Sequence, residues 1–202
     1  MNFPAFFDQV PALRMHDALA QLLGTSSDGV IEYHYADAVR LAGHSCPTVA
    51  GAWLSARAGL RALFPEALPQ RGHISVYLPE PEDHGVSGVI GQVMTLITGA
   101  AGDGGFKGLG EPYARNNLLH YAEPGVNGVR LRRNDNGQTV EVQFDASTVP
   151  PDPSMRNLMA AARQGRADAA ERLQFGELWQ DRVRRLLLEH ADDGAVIRVQ
   201  QL

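Results

Sequence analysis

The segment that decides the fold is residues 42–64, AGHSCPTVAGAWLSARAGLRALF, which contains the only cysteine of the chain. Pro47 suits the first position of a helix, because its fixed φ is helical and its missing N–H would have no partner there. The apolar residues that follow recur at helical spacing, and many residues between them are small. We therefore predict a helix over residues 48–64, with Cys46 at its N-cap and other backbone packed closely against it.

The position of Cys46 gives its sulfur two possible chemical roles. Unpaired N–H groups and the positive end of the helix dipole favour an anion at the N-cap, so a thiolate forms there more easily than in open solvent. His44, two residues earlier, adds an imidazole. The pair is interpreted either as two metal ligands or as a nucleophilic thiol with its base. The alternative is a small buried cysteine that only fills space.

Helices and strands are mixed along the rest of the chain. Hydrophobic periodicity predicts helices over residues 12–23, 35–42, 86–97, 154–164 and 167–190. Short runs rich in β-branched residues predict strands at 30–33, 73–78, 117–121, 129–133, 139–144 and 195–199. The predicted fold class is α+β, with a mixed or antiparallel sheet packed against helices and a C-terminal helical extension.

A proline-rich stretch, residues 149–153, divides the chain into two expected parts. Residues 1–149 are expected to form an α+β core domain that contains the site. Residues 150–202 are expected to form a helical segment that packs either on this core or on a dimer partner.

Composition excludes several classes of function. The 202 residues are 44% hydrophobic and 20% charged, with a net charge of -5, so the basic field of a nucleic-acid-binding protein is missing. No apolar stretch approaches the roughly 20 residues that span a bilayer. One cysteine cannot form an internal disulfide, and the first residues do not resemble an export signal. We expect a cytoplasmic protein without nucleic-acid or membrane partners.

Histidines extend the metal hypothesis beyond Cys46. His84 precedes the predicted helix at 86–97, so two helix starts, each with a soft ligand, are expected to converge on one ion. Zn²⁺ with three protein ligands keeps an open position for water or substrate. His44, Cys46 and His84 are the predicted ligands. His34 is a possible fourth, and its alternative role is a local hydrogen bond.

A glycine-rich segment, residues 99–110, has six glycines in twelve positions and is predicted to be a loop. It also contains Lys107, the only lysine of the chain. Backbone N–H groups of such a loop can bind an anion. Gly104, Gly105 and Lys107 are therefore candidates for binding a small anion or a pterin-like ligand, although the loop matches no known nucleotide-binding pattern.

The motif Gly43-His44-Ser45-Cys46-Pro47, followed by a helix rich in small residues, resembles the Gly-His-x-Cys-Pro signature of the formylmethanofuran dehydrogenase E-subunit family. The order of the later elements is also similar, and the resemblance spans roughly residues 30–135. It implies an α+β fold around a metal-capable pocket, often in a dimer. Three positions depart from the family pattern, because Ala42, Ala100 and Ser87 replace a histidine, a cysteine and an aspartate.

Together these observations predict a metal-binding protein with a zinc-type site and an open coordination position for a small-molecule substrate. The resemblance implies a homodimer. His44 and Cys46 would be the catalytic residues if the protein is an enzyme. Two alternatives stay open, a non-catalytic accessory or ligand-carrier module and a metal-free thiol enzyme in which His44 activates Cys46.

Overall fold

The computed structural model describes residues 2–110 and 113–202. The helices are α1 (Ala18–Leu22), α2 (Tyr35–Ala42), α3 (Pro47–Leu63), α4 (Ser87–Thr98), α5 (Met155–Arg163) and α6 (Ala169–Arg184). The strands are β1 (Leu13–His16), β2 (Val30–Tyr33), β3 (Ile74–Tyr77), β4 (Leu119–His120), β5 (Val129–Arg133), β6 (Thr139–Phe144) and β7 (Ile197–Gln201). A 3₁₀ helix (Ala5–Gln9) precedes β1, and a π-helical turn (Arg185–Glu189) extends α6.

Five strands form the main sheet in the order β4-β3-β5-β6-β7. β4 is parallel to β3, and the other neighbours are antiparallel. β1 and β2 form a separate antiparallel pair. With helices packed against a mixed sheet, the predicted α+β class is confirmed.

Helix α3 is the central element of the core. It begins at Pro47, as predicted, and Cys46 is its N-cap, with the sulfur accepting the N–H of Val49 at 3.5 Å. Trp53 and Leu54 are fully buried on different faces of the helix. Gly59 lets the sheet approach, because a Cβ at this position would lie 2.6 Å from Cδ1 of Leu131. The predicted close packing around this helix is confirmed.

The helix predicted over residues 12–23 is wrong in its first half. Residues 13–16 form β1, in which Leu13 pairs with Tyr33 of β2. The helix starts only after Asp17, whose carboxylate accepts the N–H groups of Leu19 at 2.9 Å and Ala20 at 3.0 Å. Pairing with β2 outweighs a helical spacing that is short and ambiguous.

The C-terminal segment is joined to the rest of the chain at two places. β7 forms the edge of the main sheet, with Val199 opposite Val142 of β6. From α6, the side chains of Trp179 and Gln180 both donate to the carbonyl of Ser45, at 2.9 and 3.2 Å. Residues beyond 150 therefore fix the loop that leads into α3 through these two hydrogen bonds.

Candidate ligand-binding cavity

A cavity of about 830 Å³ lies at the N-terminal end of α3, and we call it the α3–β6 cavity. Its first wall is one face of α3, because positions three and four apart in a helix point to the same side. The second wall is the loop between β3 and α4 together with the first turn of α4. The third wall is the start of β5 and the end of β6. The α3 residues that line it are Pro47, Thr48, Gly51, Ala52 and Ser55.

The inner surface of the cavity is largely apolar. Leu78, Val129 and Val142 line it and are buried. The ring of Phe144 also lines it and lies directly against Gly51. This surface suits the apolar part of a small molecule.

Ser55 is the polar group at the inner side of this cavity. The residue is only 2% exposed, and its hydroxyl makes no hydrogen bond to another side chain or to the backbone within residues 2–110 and 113–202. It is not among the fully buried polar atoms that lack a partner there, which are Trp53 Nε1, Arg71 Nε, Arg115 Nε and Gln180 Oε1, so the hydroxyl oxygen is accessible from the cavity. The other buried serine and threonine side chains of the described chain are all partnered. Ser75 donates to Asn134 at 2.8 Å, Ser87 to the carbonyl of Glu80 at 3.2 Å, and Thr98 to the carbonyl of Met94 at 2.7 Å.

Charged groups lie at the rim of the cavity rather than inside it. His84 Nδ1 contacts the Glu80 carboxylate at 2.9 Å, and both side chains are exposed. Asp145 accepts the N–H of Ser147 at 2.8 Å, and the hydrogen bonds from Ser147 and the charge of Arg198 hold the pKa of Asp145 below its ordinary value. Each rim carboxylate thus has a nearby cationic or protonatable group.

The motif loop adjoins the cavity, but its two reactive side chains do not meet. Pro47 and Thr48 line the wall, whereas Cys46 is 8% exposed and has its sulfur against the N–H of Val49. His44 is exposed, and its Nδ1 is 2.9 Å from the carbonyl of Ala42. No hydrogen bond in the described chain joins this imidazole to the Cys46 sulfur. The arrangement lacks the thiol–base contact that a metal-free thiol enzyme needs.

The predicted metal ligands are dispersed. His84 was expected at the start of α4, but the helix begins at Ser87, and His84 lies in the preceding loop beside Glu80. His34 is the N-cap of α2, and its Nε2 lies 3.2 Å from Glu32. Nowhere in residues 2–110 and 113–202 do three or more His, Cys, Asp or Glu side chains cluster closely enough to hold a metal ion. The three-ligand centre of His44, Cys46 and His84 is not assembled there.

The glycine-rich loop borders a second cavity, of about 690 Å³. Gly104 and Gly105 line it, together with the carboxylates of Glu82, Asp103 and Glu123. Lys107 is exposed, and its Nζ donates to the carbonyl of Asp103 at 2.5 Å. Because the lining is acidic and Lys107 is not part of it, the surroundings disfavour the small anion that the sequence suggested.

The residues that depart from the family pattern have structural roles in this chain. Ala100 is fully buried, Ser87 ties the first turn of α4 to the preceding loop, and Ala42 ends α2. Sequence reasoning missed Ser55 as a site residue. The signal was present, since Thr48, Gly51, Ala52 and Ser55 form a stripe of small residues on one helix face that starts at the motif.

No family model matches the chain, and no curated protein matches it in sequence. Among solved structures, the chain is similar to a protein from Syntrophus aciditrophicus described as like the E subunit (FmdE) of tungsten formylmethanofuran dehydrogenase. The likeness covers 84% of this chain and 72% of that chain, with 14% sequence identity and a TM-score of 0.43. None of the helices in the described chain has the length and apolar character needed to cross a bilayer.

Proposed function

We propose that this protein binds a small organic molecule in the α3–β6 cavity. The observation that carries the proposal is the Ser55 hydroxyl, which belongs to a residue only 2% exposed, faces the cavity and makes no hydrogen bond within the described chain. A molecule that fills the cavity covers this hydroxyl, and leaving a covered polar group without a hydrogen bond is costly. A ligand that pairs with the hydroxyl avoids this cost.

The dimensions and chemistry of the cavity support the same proposal. Its volume of about 830 Å³ lies in the range of roughly 300–1,000 Å³ that is common for small-molecule sites. Mainly apolar walls with few polar groups are also typical of such sites. Among the alternatives drawn from the sequence, a ligand-carrier module agrees best with these features.

The motif at residues 43–47 has a clear relation to this cavity. Its last residue, Pro47, lines the wall, and Cys46 fixes the start of the helix that supplies one side. The family resemblance implies a metal-capable pocket, and the cavity lies beside the motif that carries this resemblance. In this proposal, Cys46 and His44 position the helix and the loop, and neither contacts the ligand.

Zinc binding remains a prediction from the sequence, and this proposal does not depend on it. A catalytic zinc site needs about three protein ligands around one point. The described residues do not provide that set, since the Cys46 sulfur caps the start of α3 and His84 is paired with Glu80. Homodimer formation and a cytoplasmic location likewise stay predictions.

The test is to fill the cavity from α3. The variant Thr48→Phe places an aromatic ring in the cavity, and Arg61→Phe places the same ring on the exposed side of the same helix. A library of uncharged fragments is screened against wild type and both variants by ligand-observed NMR, with thermal unfolding as a check on folding. We expect fragments to bind wild type and Arg61→Phe but not Thr48→Phe. Fragment binding that survives in Thr48→Phe, or that is missing in wild type, would contradict the proposal.

A further inference from the structure

We infer that the ligand of the α3–β6 cavity carries an uncharged hydrogen-bonding group on an apolar body, and that Ser55 recognises this group. The inference rests on the proposed function and adds the chemical class of the ligand. Phenol is a minimal probe of this class, because it joins one hydroxyl to an apolar ring.

The inner lining disfavours a charged group. The buried residues that form it are Gly51, Ala52, Ser55, Leu78, Ser87, Val129 and Val142, and none of them ionises at neutral pH. An ion placed against them would lose its hydration without gaining a counter-ion, which costs far more than burying a neutral group.

The rim does not favour an anion either. Glu80 is paired with His84, and Arg198 lies close enough to Asp145 to lower the pKa of that carboxyl. The basic side chain at each place, His84 or Arg198, therefore already has an acidic neighbour. A ligand gains little by bringing a further negative charge to this rim.

The Ser55 hydroxyl lets the cavity discriminate between ligands that can hydrogen-bond to it and ligands that cannot. A serine hydroxyl can donate one hydrogen bond and accept others, so it can pair with a hydroxyl, a carbonyl or an amide. An apolar ligand without such a group covers the hydroxyl and leaves it unpaired. A site with a buried polar group therefore discriminates against the analogue that cannot pair with it.

The experiment compares phenol with toluene, which lacks the hydroxyl, and with benzoate, which adds a charge. Affinities are measured by calorimetry or NMR titration at neutral pH for wild type, Ser55→Ala and Ser75→Ala. Ser75 is the matched control, because it is a buried serine whose hydroxyl is bonded to Asn134 outside the cavity. We expect wild type and Ser75→Ala to bind phenol about two- to tenfold more tightly than toluene, the size of one net neutral hydrogen bond. Benzoate should bind most weakly, and Ser55→Ala should remove the preference for phenol.

Two outcomes would overturn the inference while leaving the proposed function intact. The first is that fragments bind wild type and are lost in Thr48→Phe, but phenol and toluene bind equally or neither binds. The second is that benzoate binds most tightly, or that Ser55→Ala keeps the preference for phenol. If no fragment of any kind binds wild type, the proposed function fails, and the inference fails with it.

Discussion

The ring of Phe144 occupies the space that a side chain on Gly51 would need. A Cβ on Gly51 would overlap both Cδ1 and Cε1 of that ring. This contact sets how closely the end of β6 approaches α3, and both residues line the cavity. The shape of the cavity therefore depends on a glycine in the middle of a helix, where glycine is otherwise unfavourable.

Replacing this glycine should destabilise the protein. In Gly51→Ala the new methyl group forces the Phe144 ring to move, and overpacking of this kind costs about 1–3 kcal/mol. The higher helix propensity of alanine, worth about 1 kcal/mol, offsets part of that cost. We expect a lower midpoint of urea unfolding. Gly176→Ala in α6 is the control, because nothing lies within 4 Å of its Cβ position, and it should leave stability equal or higher. Equal effects of the two substitutions would contradict this account.

The buried carboxylate of Asp17 should contribute strongly to stability. It accepts hydrogen bonds from Arg71 and Arg115, each at 2.9 Å, and these bonds join the start of α1 to the segments before β3 and before β4. Asp17→Asn leaves two partly buried guanidinium groups without a counter-ion, so we expect a loss of about 3 kcal/mol in the free energy of unfolding. Asp181→Asn, which breaks exposed pairs with Arg184 and Arg185, should cost less than about 1 kcal/mol.

The Asp17 contribution should also depend on pH. Burial raises the pKa of Asp17, but the hydrogen bond from Arg71, the N–H of Ala20 and the charge of Arg115 outweigh it and hold this pKa below the ordinary value. The stabilisation is therefore fully present above the unfolded pKa of about 3.9 and is lost as the pH falls through the lower folded pKa. In urea titrations, the difference in stability between wild type and Asp17→Asn should be constant near neutral pH and shrink below about pH 4. If the stability difference between wild type and Asp17→Asn instead grows as the pH falls, the predicted direction of the pH dependence is wrong.

Cys46 should react slowly with thiol reagents until the loop before it is loosened. The sulfur is buried, and the neighbouring Ser45 carbonyl is held by Trp179 and Gln180. Trp179→Phe removes one of these hydrogen bonds and should raise the rate of reaction with a chromogenic disulfide reagent several-fold. Because the chain has one cysteine, the signal reports this site alone. Leu173→Ala, an exposed position on the same helix, should leave the rate unchanged.

Much of the fold was predictable from local patterns. Pro47 after Cys46 predicts the start of α3, and Gly43, in the left-handed region at φ 75°, predicts the end of α2. The turn at residues 134–137 predicts the hairpin of β5 and β6. The strand β1 was not predictable in this way, because it depends on pairing with β2, which lies beyond an intervening helix.

The candidate site was predictable only in part. The motif indicates the correct end of α3, since Pro47 and Thr48 line the cavity. The expected convergence of His84 with Cys46 assumed that α4 starts near His84. Ser87 instead bonds back to the carbonyl of Glu80 and begins the helix later. The stripe of small residues on α3 indicates the helix face that carries Ser55. That this face borders a cavity depends on how β6 and the loop before α4 pack beside it, which no local pattern reveals.

The hydrogen bonds from α6 to the Ser45 carbonyl affect the order in which parts of the protein can fold during synthesis. Trp179 lies 134 positions after Ser45, and the rim residue Arg198 comes later still. Synthesis proceeds from the N-terminus, so a chain still on the ribosome can form the α3 helix long before the loop in front of it is fastened. The α3–β6 cavity is therefore among the last features to be completed. Under the proposed function, prematurely terminated products should not compete with the finished protein for a ligand.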